Sequence, residues 1–249
     1  MRSDVHNGAM KDQLTLPTRL VLWDVDHTLI NTGGVGREAF SEAFHAATGL
    51  RLKEMADPSG LTEGDIFRKT AKAHGITDPE QLFPAFARQL AQAYEARVEL
   101  LRTRGRALAG AHSALKAVAE WPGVIQGVLT GNLREVARLK LAAFGLDEYI
   151  NWSLSAFAED GSARTQLVDA ARARAHRATG HPFLGNHTVL IGDTINDVET
   201  ALRTGTSIIA VTTGRFTAAQ LRSAGADTVL PSLEDPTFGV TLNTLLATA

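Results

Sequence analysis

Residues 20–28 read Leu-Val-Leu-Trp-Asp-Val-Asp-His-Thr, a short apolar run that ends in two carboxylates. Such a run is typical of a buried parallel strand that delivers polar groups at its C-terminal end. Because Asp24 and Asp26 lie two residues apart just past the strand, both could face one cleft. One carboxylate could then act as a nucleophile and the other as a general acid or base. Solvated aspartates in a turn are an equally good interpretation of this segment alone.

Three further segments repeat the pattern of an apolar run that ends in polar residues. These are Val124 to Leu129 before Thr130-Gly131-Asn132, Thr188 to Ile191 before Gly192-Asp193, and Ser207 to Val211 before Thr212-Thr213-Gly214. Helical stretches are predicted between them, at Leu133 to Phe144 and at Asp197 to Arg203. This alternation predicts an α/β fold with a doubly wound, Rossmann-like parallel sheet.

The stretch from Gly33 to about Gly110 differs, because it has helical periodicity and no convincing strand. Apolar residues recur at helical spacing from Phe40 to Ala47 and again from Phe86 to Leu101. We interpret residues 33–110 as an inserted all-helical cap domain. The core domain is then formed by residues 19–32 and 111–249.

The overall composition excludes several classes of function and favours others. Hydrophobic residues make up 44% and charged residues 21% of the 249 positions, which is ordinary for a globular protein. The net charge of −2 gives no strong field that would recruit nucleic acid or an anionic membrane, so small-molecule partners are favoured. The chain has no cysteine, which excludes disulfides, thiol nucleophiles and thiolate metal sites. A catalytic metal would have to bind oxygen or imidazole.

The N-terminal segment carries no recognisable targeting signal. Residues 1–19 are polar and of mixed charge, without the apolar core of a secretory peptide. No run approaches the ~20 apolar residues needed to span a bilayer. We therefore expect a cytoplasmic protein whose residues 1–18 form a flexible leader. Both a monomer and a homodimer are compatible with the sequence.

Asp193 follows another predicted strand and could act together with Asp24 and Asp26. If the strands are parallel neighbours, Asp193 and Asp24 converge at the edge where open α/β sheets bind ligands. Oxygen ligands at that density suit Mg²⁺. Asp197 follows four residues later, where a carboxylate could also serve the N-terminus of a helix.

The strand end at Thr130 has the features of an anion site. Thr130, Gly131 and Asn132 precede a predicted helix, so a hydroxyl, a glycine backbone and free helix N–H groups lie together. An ordinary helix N-cap would give the same pattern.

In this order, the strand-end motifs resemble those of the haloacid dehalogenase-like hydrolase superfamily. Its motifs are Asp-x-Asp-x-Thr, a Ser or Thr on the second strand, a Lys or Arg, and Gly-Asp-x-x-x-Asp, and the resemblance covers Leu20 to about Leu246. The helical insertion resembles the family's first-type cap, as in the phosphoglycolate phosphatase-like branch. Residues 60–66 resemble the substrate-facing cap loop of that branch.

The resemblance implies a Mg²⁺-dependent phosphatase acting on a small phosphorylated metabolite through an aspartyl-phosphate. Asp24 would be the nucleophile and Asp26 the acid/base. Mg²⁺ would be held by Asp24, the backbone carbonyl of Asp26 and Asp193, with Asp197 binding directly or through water. The residues expected to bind substrate are Thr28, Thr130, Gly131, Asn132 and Arg164, of which Thr130 and Arg164 would also assist catalysis.

Two positions depart from the family pattern. The third motif is usually a lysine, but none follows Lys140, so an arginine must supply the cation. Arg164 is the best placed, and its planar fork could hold phosphate and carboxylate together, although a surface arginine at a helix start would look the same. His27 stands where many relatives have glycine. Because histidine is enriched in the left-handed conformation, we expect a backbone role for it.

Other functions remain compatible with these motifs. Family members that act on carbon–halogen or phosphonate bonds lack an aspartate at the position of Asp26, so its presence favours phosphate monoesters. A sugar phosphomutase keeps both aspartates, whereas a non-catalytic ligand-binding homologue would normally have lost one of them or the threonine. The sequence does not identify the physiological substrate, for which Glu63, Asp65 and Arg68 are candidate cap contacts.

Overall fold

The computed structural model describes residues 18–247, so the predicted leader lies outside the described residues except for Thr18. In chain order the strands are β1 (Arg19–Trp23), β2 (Ile30–Asn31), β3 (Arg106–Ala107), β4 (Val124–Val128), β5 (Thr188–Gly192), β6 (Ser207–Val211) and β7 (Val229–Leu230). A parallel five-stranded sheet has the order β4-β1-β5-β6-β7, and β2 pairs antiparallel with β3.

Helices occupy most of the remaining chain. They are α1 (Val35–Thr48), α2 (Glu63–Ala73), α3 (Phe83–Glu95), α4 (Val98–Arg104), α5 (Ala111–Ala119), α6 (Arg134–Ala142), α7 (Arg164–Thr179), α8 (Ile195–Thr204), α9 (Ala218–Ser223) and α10 (Phe238–Ala247). Within residues 18–247, no helix has the length and apolarity that crossing a membrane requires.

The interior strand β1 is buried on both faces because helices cover both sides of the sheet. Val21 and Trp23 pack in a cluster with apolar residues of α5, α6 and α10. Leu20 and Leu22 point the opposite way, as alternation along a strand requires, and pack with residues of α7, α8 and α9. This arrangement confirms the predicted doubly wound α/β core.

Several predicted boundaries move by one or two residues. The helix predicted from Asp197 begins at Ile195, because the Thr194 hydroxyl caps it and accepts a hydrogen bond from the Asp197 N–H at 3.2 Å. Strand β4 ends one residue early, since Leu129 makes only an isolated bridge to Ala156. The helix predicted over residues 133–144 spans Arg134–Ala142.

The insertion contains four helices packed around aromatic rings. Phe67 of α2 and Phe86 of α3 stack with their centroids 4.3 Å apart, and both are fully buried. The insertion also contains one strand that the sequence did not predict, β3, which pairs with β2 at the base of the helices. A two-residue strand is too short to show a period of two. The division into domains at residues 33 and 110 stays a prediction.

The register of the sheet brings three strand ends together. Trp23 at the end of β1 pairs with Val128 of β4 on one side and with Ile191 of β5 on the other. The residues that follow these strands therefore emerge at one edge of the sheet, with Asp24 in the middle. Its N–H donates to the Ile191 carbonyl at 2.8 Å, which extends the pairing to the first acidic residue.

Candidate active site

A tight turn after β1 holds the first two aspartates. The His27 N–H donates to the Ile30 carbonyl at 2.7 Å, and the Leu29 N–H donates to the Val25 carbonyl at 2.9 Å. His27 has a φ of 62° and is the one non-glycine residue with positive φ in the described part of the chain. The expected left-handed backbone role of His27 is confirmed, and the turn allows Asp24 and Asp26 to line one cavity.

That cavity, of about 620 Å³, lies between the strand ends and the inserted helices. On the core side it is lined by Asp24, Asp26, Thr130, Gly131, Asn132, Arg164 and Asp193. The inserted helices contribute the apolar side chains of Phe40, Ile66, Leu90 and Tyr94, together with the charged Arg37 and Glu63. Apolar walls with a small number of polar groups are typical of a small-molecule site.

Arg164 is the cation nearest to Asp24. It is the first residue of α7, is buried, and places Nη2 3.2 Å from Asp24 Oδ1. The same nitrogen donates to Asp197 Oδ1. Burial disfavours the charged guanidinium, but Asp197 and Asp24 outweigh this and raise the pKa of Arg164. Its Nε is buried without a hydrogen-bond partner among the described residues, which leaves one donor of the guanidinium unsatisfied.

Asp24, Asp193 and Asp197 form a buried acidic trio in which one oxygen of each lies within 4.8 Å of the others. Burial raises the pKa of Asp24 to about 7, because Asp197 and Asp26 add to desolvation and Arg164 offsets it only in part. Burial and the charges of Asp24 and Asp197 raise the pKa of Asp193 to about 9. Full ionisation of the trio is therefore unfavourable without a further positive charge.

The contacts of the trio fit a divalent cation. Arg164 pairs with Asp24 and Asp197, and its single charge cannot balance three carboxylates when all are ionised. The donor set consists of carboxylate oxygens, which hard cations prefer. Both Asp197 oxygens are already engaged, Oδ1 by Arg164 and Oδ2 by the Thr194 hydroxyl at 2.6 Å. Asp24 and Asp193 line the cavity and have more room for a ligand.

Thr28 has a different contact from the one the sequence suggested. Its side chain is fully buried and is absent from the described lining of the cavity. The Thr28 hydroxyl donates to Asp193 Oδ1 at 3.1 Å. Thr28 thus orients an acidic residue in this structure, and its contact with a substrate stays a prediction.

The anion site predicted after β4 is only partly available. The Leu133 N–H donates to Glu63 Oε2 at 2.7 Å, and the Arg134 N–H donates to Glu159 Oε1 at 2.9 Å. Two carboxylates therefore take up N–H groups at the start of α6 that were expected to bind a phosphate. Thr130 and Asn132 remain at the cavity, where the Asn132 amide donates to the Thr130 hydroxyl at 2.7 Å.

The inserted helices contact the core through Glu63. Its N–H donates to the Gly131 carbonyl at 2.7 Å, and its carboxylate accepts from Leu133. A Cβ atom on Gly131 would lie 2.3 Å from the Leu61 carbonyl oxygen, so only glycine allows this approach. Burial raises the pKa of Glu63 to about 7, although Lys140 acts in the opposite direction.

The other two cap candidates lie elsewhere. Asp65 accepts a hydrogen bond from the Thr62 hydroxyl at 2.9 Å and pairs with Arg68 at 3.2 Å. Arg68 also pairs with Glu80 and lies over the Phe83 ring. Neither Asp65 nor Arg68 belongs to the described lining of the large cavity, since these local contacts hold them on α2. Of the three candidates, Glu63 alone lines it.

Lys140 is a cavity residue that the sequence interpretation missed as a site group. It lies on α6 and places Nζ 2.8 Å from Asp26 Oδ2. Desolvation alone would raise the pKa of Asp26, but the Lys140 charge and hydrogen bonds from Lys140 and Asn132 hold it below its usual value. The available signal was a lysine on the apolar face of an amphipathic helix, beside Val136 and Ala137.

Comparison with known proteins agrees with this geometry. The family model described as haloacid dehalogenase-like hydrolase matches residues 21–202. A search among curated proteins found no match. Among solved structures, a hydrolase from Pseudomonas syringae is 22% identical with a TM-score of 0.66, and the alignment covers 90% of this chain and 97% of that one.

Two further structures share the fold at low identity. A predicted phosphoglycolate phosphatase from Haemophilus somnus is 17% identical with a TM-score of 0.63, covering 90% of this chain and 97% of that one. A phosphonoacetaldehyde hydrolase-like protein from Oleispira antarctica is 18% identical with a TM-score of 0.66, covering 94% and 95%. The family match spans most of the chain and confirms the resemblance: this protein belongs to the haloacid dehalogenase-like hydrolase family.

Proposed function

We propose that this protein is a Mg²⁺-dependent phosphatase that hydrolyses a phosphate monoester of a small molecule through an aspartyl-phosphate on Asp24. The observation that carries the proposal is the pairing of buried Asp24 with Arg164 inside a cavity that Asp26 also lines. A nucleophile, a proton-transfer group and donors for phosphoryl oxygens then lie within one space, as phosphoryl transfer requires.

In the first step an Asp24 oxygen attacks phosphorus and the bond from phosphorus to the leaving oxygen breaks. Asp26 gives its proton to the departing alcohol. Arg164 and the Thr130 hydroxyl, which both line the cavity, would bind phosphoryl oxygens and stabilise the charge that spreads over them. Asp24, the Asp26 carbonyl and Asp193 would hold Mg²⁺, which would supply positive charge to offset the crowded carboxylates and the phosphoryl group.

In the second step water attacks phosphorus and Asp24 departs as a carboxylate. Asp26 accepts the proton from that water and is thereby prepared for the next turnover. The presence of Asp26 supports phosphate monoesters over a phosphonate of the kind for which the Oleispira antarctica relative is named. The apolar walls from Phe40, Ile66 and Leu90 would surround the alcohol part of the substrate.

The two motif aspartates should fail in different ways. We expect Asp24→Asn to lose turnover to background, because the amide cannot act as the nucleophile. Asp26→Asn should lose about 10²–10⁴-fold with an alkyl phosphate. It should lose less with an aryl phosphate, whose leaving group needs little protonation. Steady-state assays with both substrates and Mg²⁺ measure this.

Three outcomes with the wild type and Asp24→Asn would count against the proposal. Turnover that is unchanged in excess chelator would reject the metal requirement. Activity that appears only with a bisphosphorylated sugar activator would support a phosphomutase instead. Robust turnover by Asp24→Asn would reject Asp24 as the nucleophile.

If the acidic trio binds Mg²⁺, the metal should stabilise the folded protein, which can be measured without an activity assay. Mg²⁺ at a hundredfold excess over its dissociation constant should stabilise the wild type by about 2.7 kcal/mol. Asp193→Asn should remove most of that gain, yet unfold at a higher temperature than the wild type in chelator, because one crowded carboxylate is gone. Thermal unfolding with and without Mg²⁺ measures both. Glu199→Gln, at a partly exposed position of α8 outside the acidic trio, is the matched control and should respond like the wild type.

We expect both the charge and the planar shape of the Arg164 guanidinium to contribute to catalysis. Arg164→Ala should lower kcat/KM by about 10²–10³-fold, as removal of a donor to the transition state does. Arg164→Lys should lose less, because it keeps the charge but not the fork. Arg177→Ala, at an exposed position of the same helix, serves as the control. If both Arg164 variants match that control, another residue supplies the cation.

A further inference from the structure

We propose that Lys140 is a positioning residue that holds the Asp26 carboxylate as the proton acceptor during hydrolysis of the aspartyl-phosphate. The inference rests on the proposed function and adds to it a residue outside the four motifs that define the resemblance. It assigns to one of the two chemical steps a side chain that the sequence motifs leave without a role.

The position of Lys140 is unusual for a lysine. Its side chain is 5% exposed, and its neighbours on the buried face of α6 are Val136, Ala137 and Leu141. Lysine is rarely buried to this degree without a partner, because removing the ammonium from water costs several kcal/mol. The contacts at its tip therefore have to compensate for that cost.

Those contacts converge on one carboxylate. Lys140 Nζ donates to Asp26 Oδ1 at 3.0 Å and to Oδ2 at 2.8 Å, and it also donates to Asn132 Oδ1. The Asn132 amide completes the set by donating to Asp26 Oδ2 at 2.7 Å. The Asp26 side chain is 37% exposed, so without these donors it would be free to change rotamer inside the cavity.

The cap side of the cavity restrains the lysine as well. The Tyr94 ring of α3 lies with its centroid 5.2 Å from Lys140 Nζ, an arrangement that favours a cation over the ring. Tyr94 is itself 3% exposed. The ammonium is therefore held between the ring and the Asp26 carboxylate, which leaves it little freedom to move away.

The hydrogen-bond pattern favours one of the two roles of Asp26. The contacts described for its carboxylate are with donors, so the group is oriented as an acceptor. Protonation of the leaving alcohol requires Asp26 to donate, and these partners do not assist that step. To accept a proton from water, a carboxylate oxygen must be held in the right orientation. Holding a reacting group in place can remove a large part of the activation barrier. We therefore assign Lys140 to the water step.

The test measures the two steps separately in Lys140→Met. Para-nitrophenyl phosphate is the substrate, because its leaving group departs with little protonation and formation of the phosphoenzyme should be nearly unchanged. Hydrolysis of the phosphoenzyme should slow by about tenfold or more. This is a part of the ~10²–10⁴-fold rate increase that proton transfer typically contributes. Rapid-quench measurement should then show a burst of para-nitrophenolate and accumulation of phosphoenzyme. Lys140→Arg, which keeps charge and donors, should recover part of the rate.

The controls separate a positioning role from a structural one. Arg138→Met lies on the same helix at an exposed site and should behave like the wild type. In the double variant with Asp26→Asn, the effect of Lys140→Met on phosphoenzyme loss should largely disappear, because residues that act as a unit are not additive. A variant that only disturbs packing would slow both steps and would add to Asp26→Asn.

Three results would overturn the inference. In Lys140→Met, equal slowing of both steps or wild-type kinetics would reject the role of Lys140 alone. Additive losses in the double variant would do the same. A wild type that never turns over phosphate esters would reject the proposed function and this role with it. If Lys140→Met does not fold, Lys140→Gln, which keeps a donor without the charge, is measured by the same criteria.

Discussion

Three carboxylates lie together at the C-terminal edge of the sheet with one arginine beside them, and the rest of the site follows from that constraint. Asp24, Asp193 and Asp197 are buried within 4.8 Å of one another around Arg164. Such a group is unfavourable when fully ionised, so it either holds protons or recruits positive charge. A site of this kind does not stabilise the fold by itself. It is maintained by a rigid sheet whose register fixes the three strand ends, and by Thr28 and Thr194, which orient two of the carboxylates.

A second charge pair, Asp26 with Lys140, lines the same cavity and shares no residue with the first. Asp26 is bound by Lys140 and Asn132, whereas Asp24 is bound by Arg164. The two aspartates are chemically identical and only two residues apart, yet their surroundings move their pKa values in opposite directions, upwards for Asp24 and downwards for Asp26. Different environments for paired carboxylates are how acid/base and nucleophilic roles become separated. The different roles proposed for Asp24 and Asp26 therefore have a physical basis in the side chains that contact them.

The sequence predicted the parts of the site that depend on strand order. Each of three site residues, Asp24, Thr130 and Asp193, follows an apolar run. Adjacent parallel strands bring such residues together irrespective of the conformation of the loops. It did not predict contacts made by residues far away in the chain. Glu63 reaches the N–H of Leu133, 70 residues later, and so occupies part of the expected anion site. Lys140 was missed for the same reason, because its partner Asp26 lies 114 residues earlier.

The central claim is that Asp24 carries the phosphoryl group, and it is tested most directly by locating that group. The wild type, mixed with an aryl phosphate and Mg²⁺ and then quenched in acid within milliseconds, should yield a peptide of residues around Asp24 that is heavier by one phosphoryl group. Fragmentation by mass spectrometry should assign the added mass to the Asp24 side chain. A phosphoryl group on any other residue, or turnover with no acid-stable phosphoenzyme at any quench time and no trapping of Asp24 by beryllofluoride, would contradict the account.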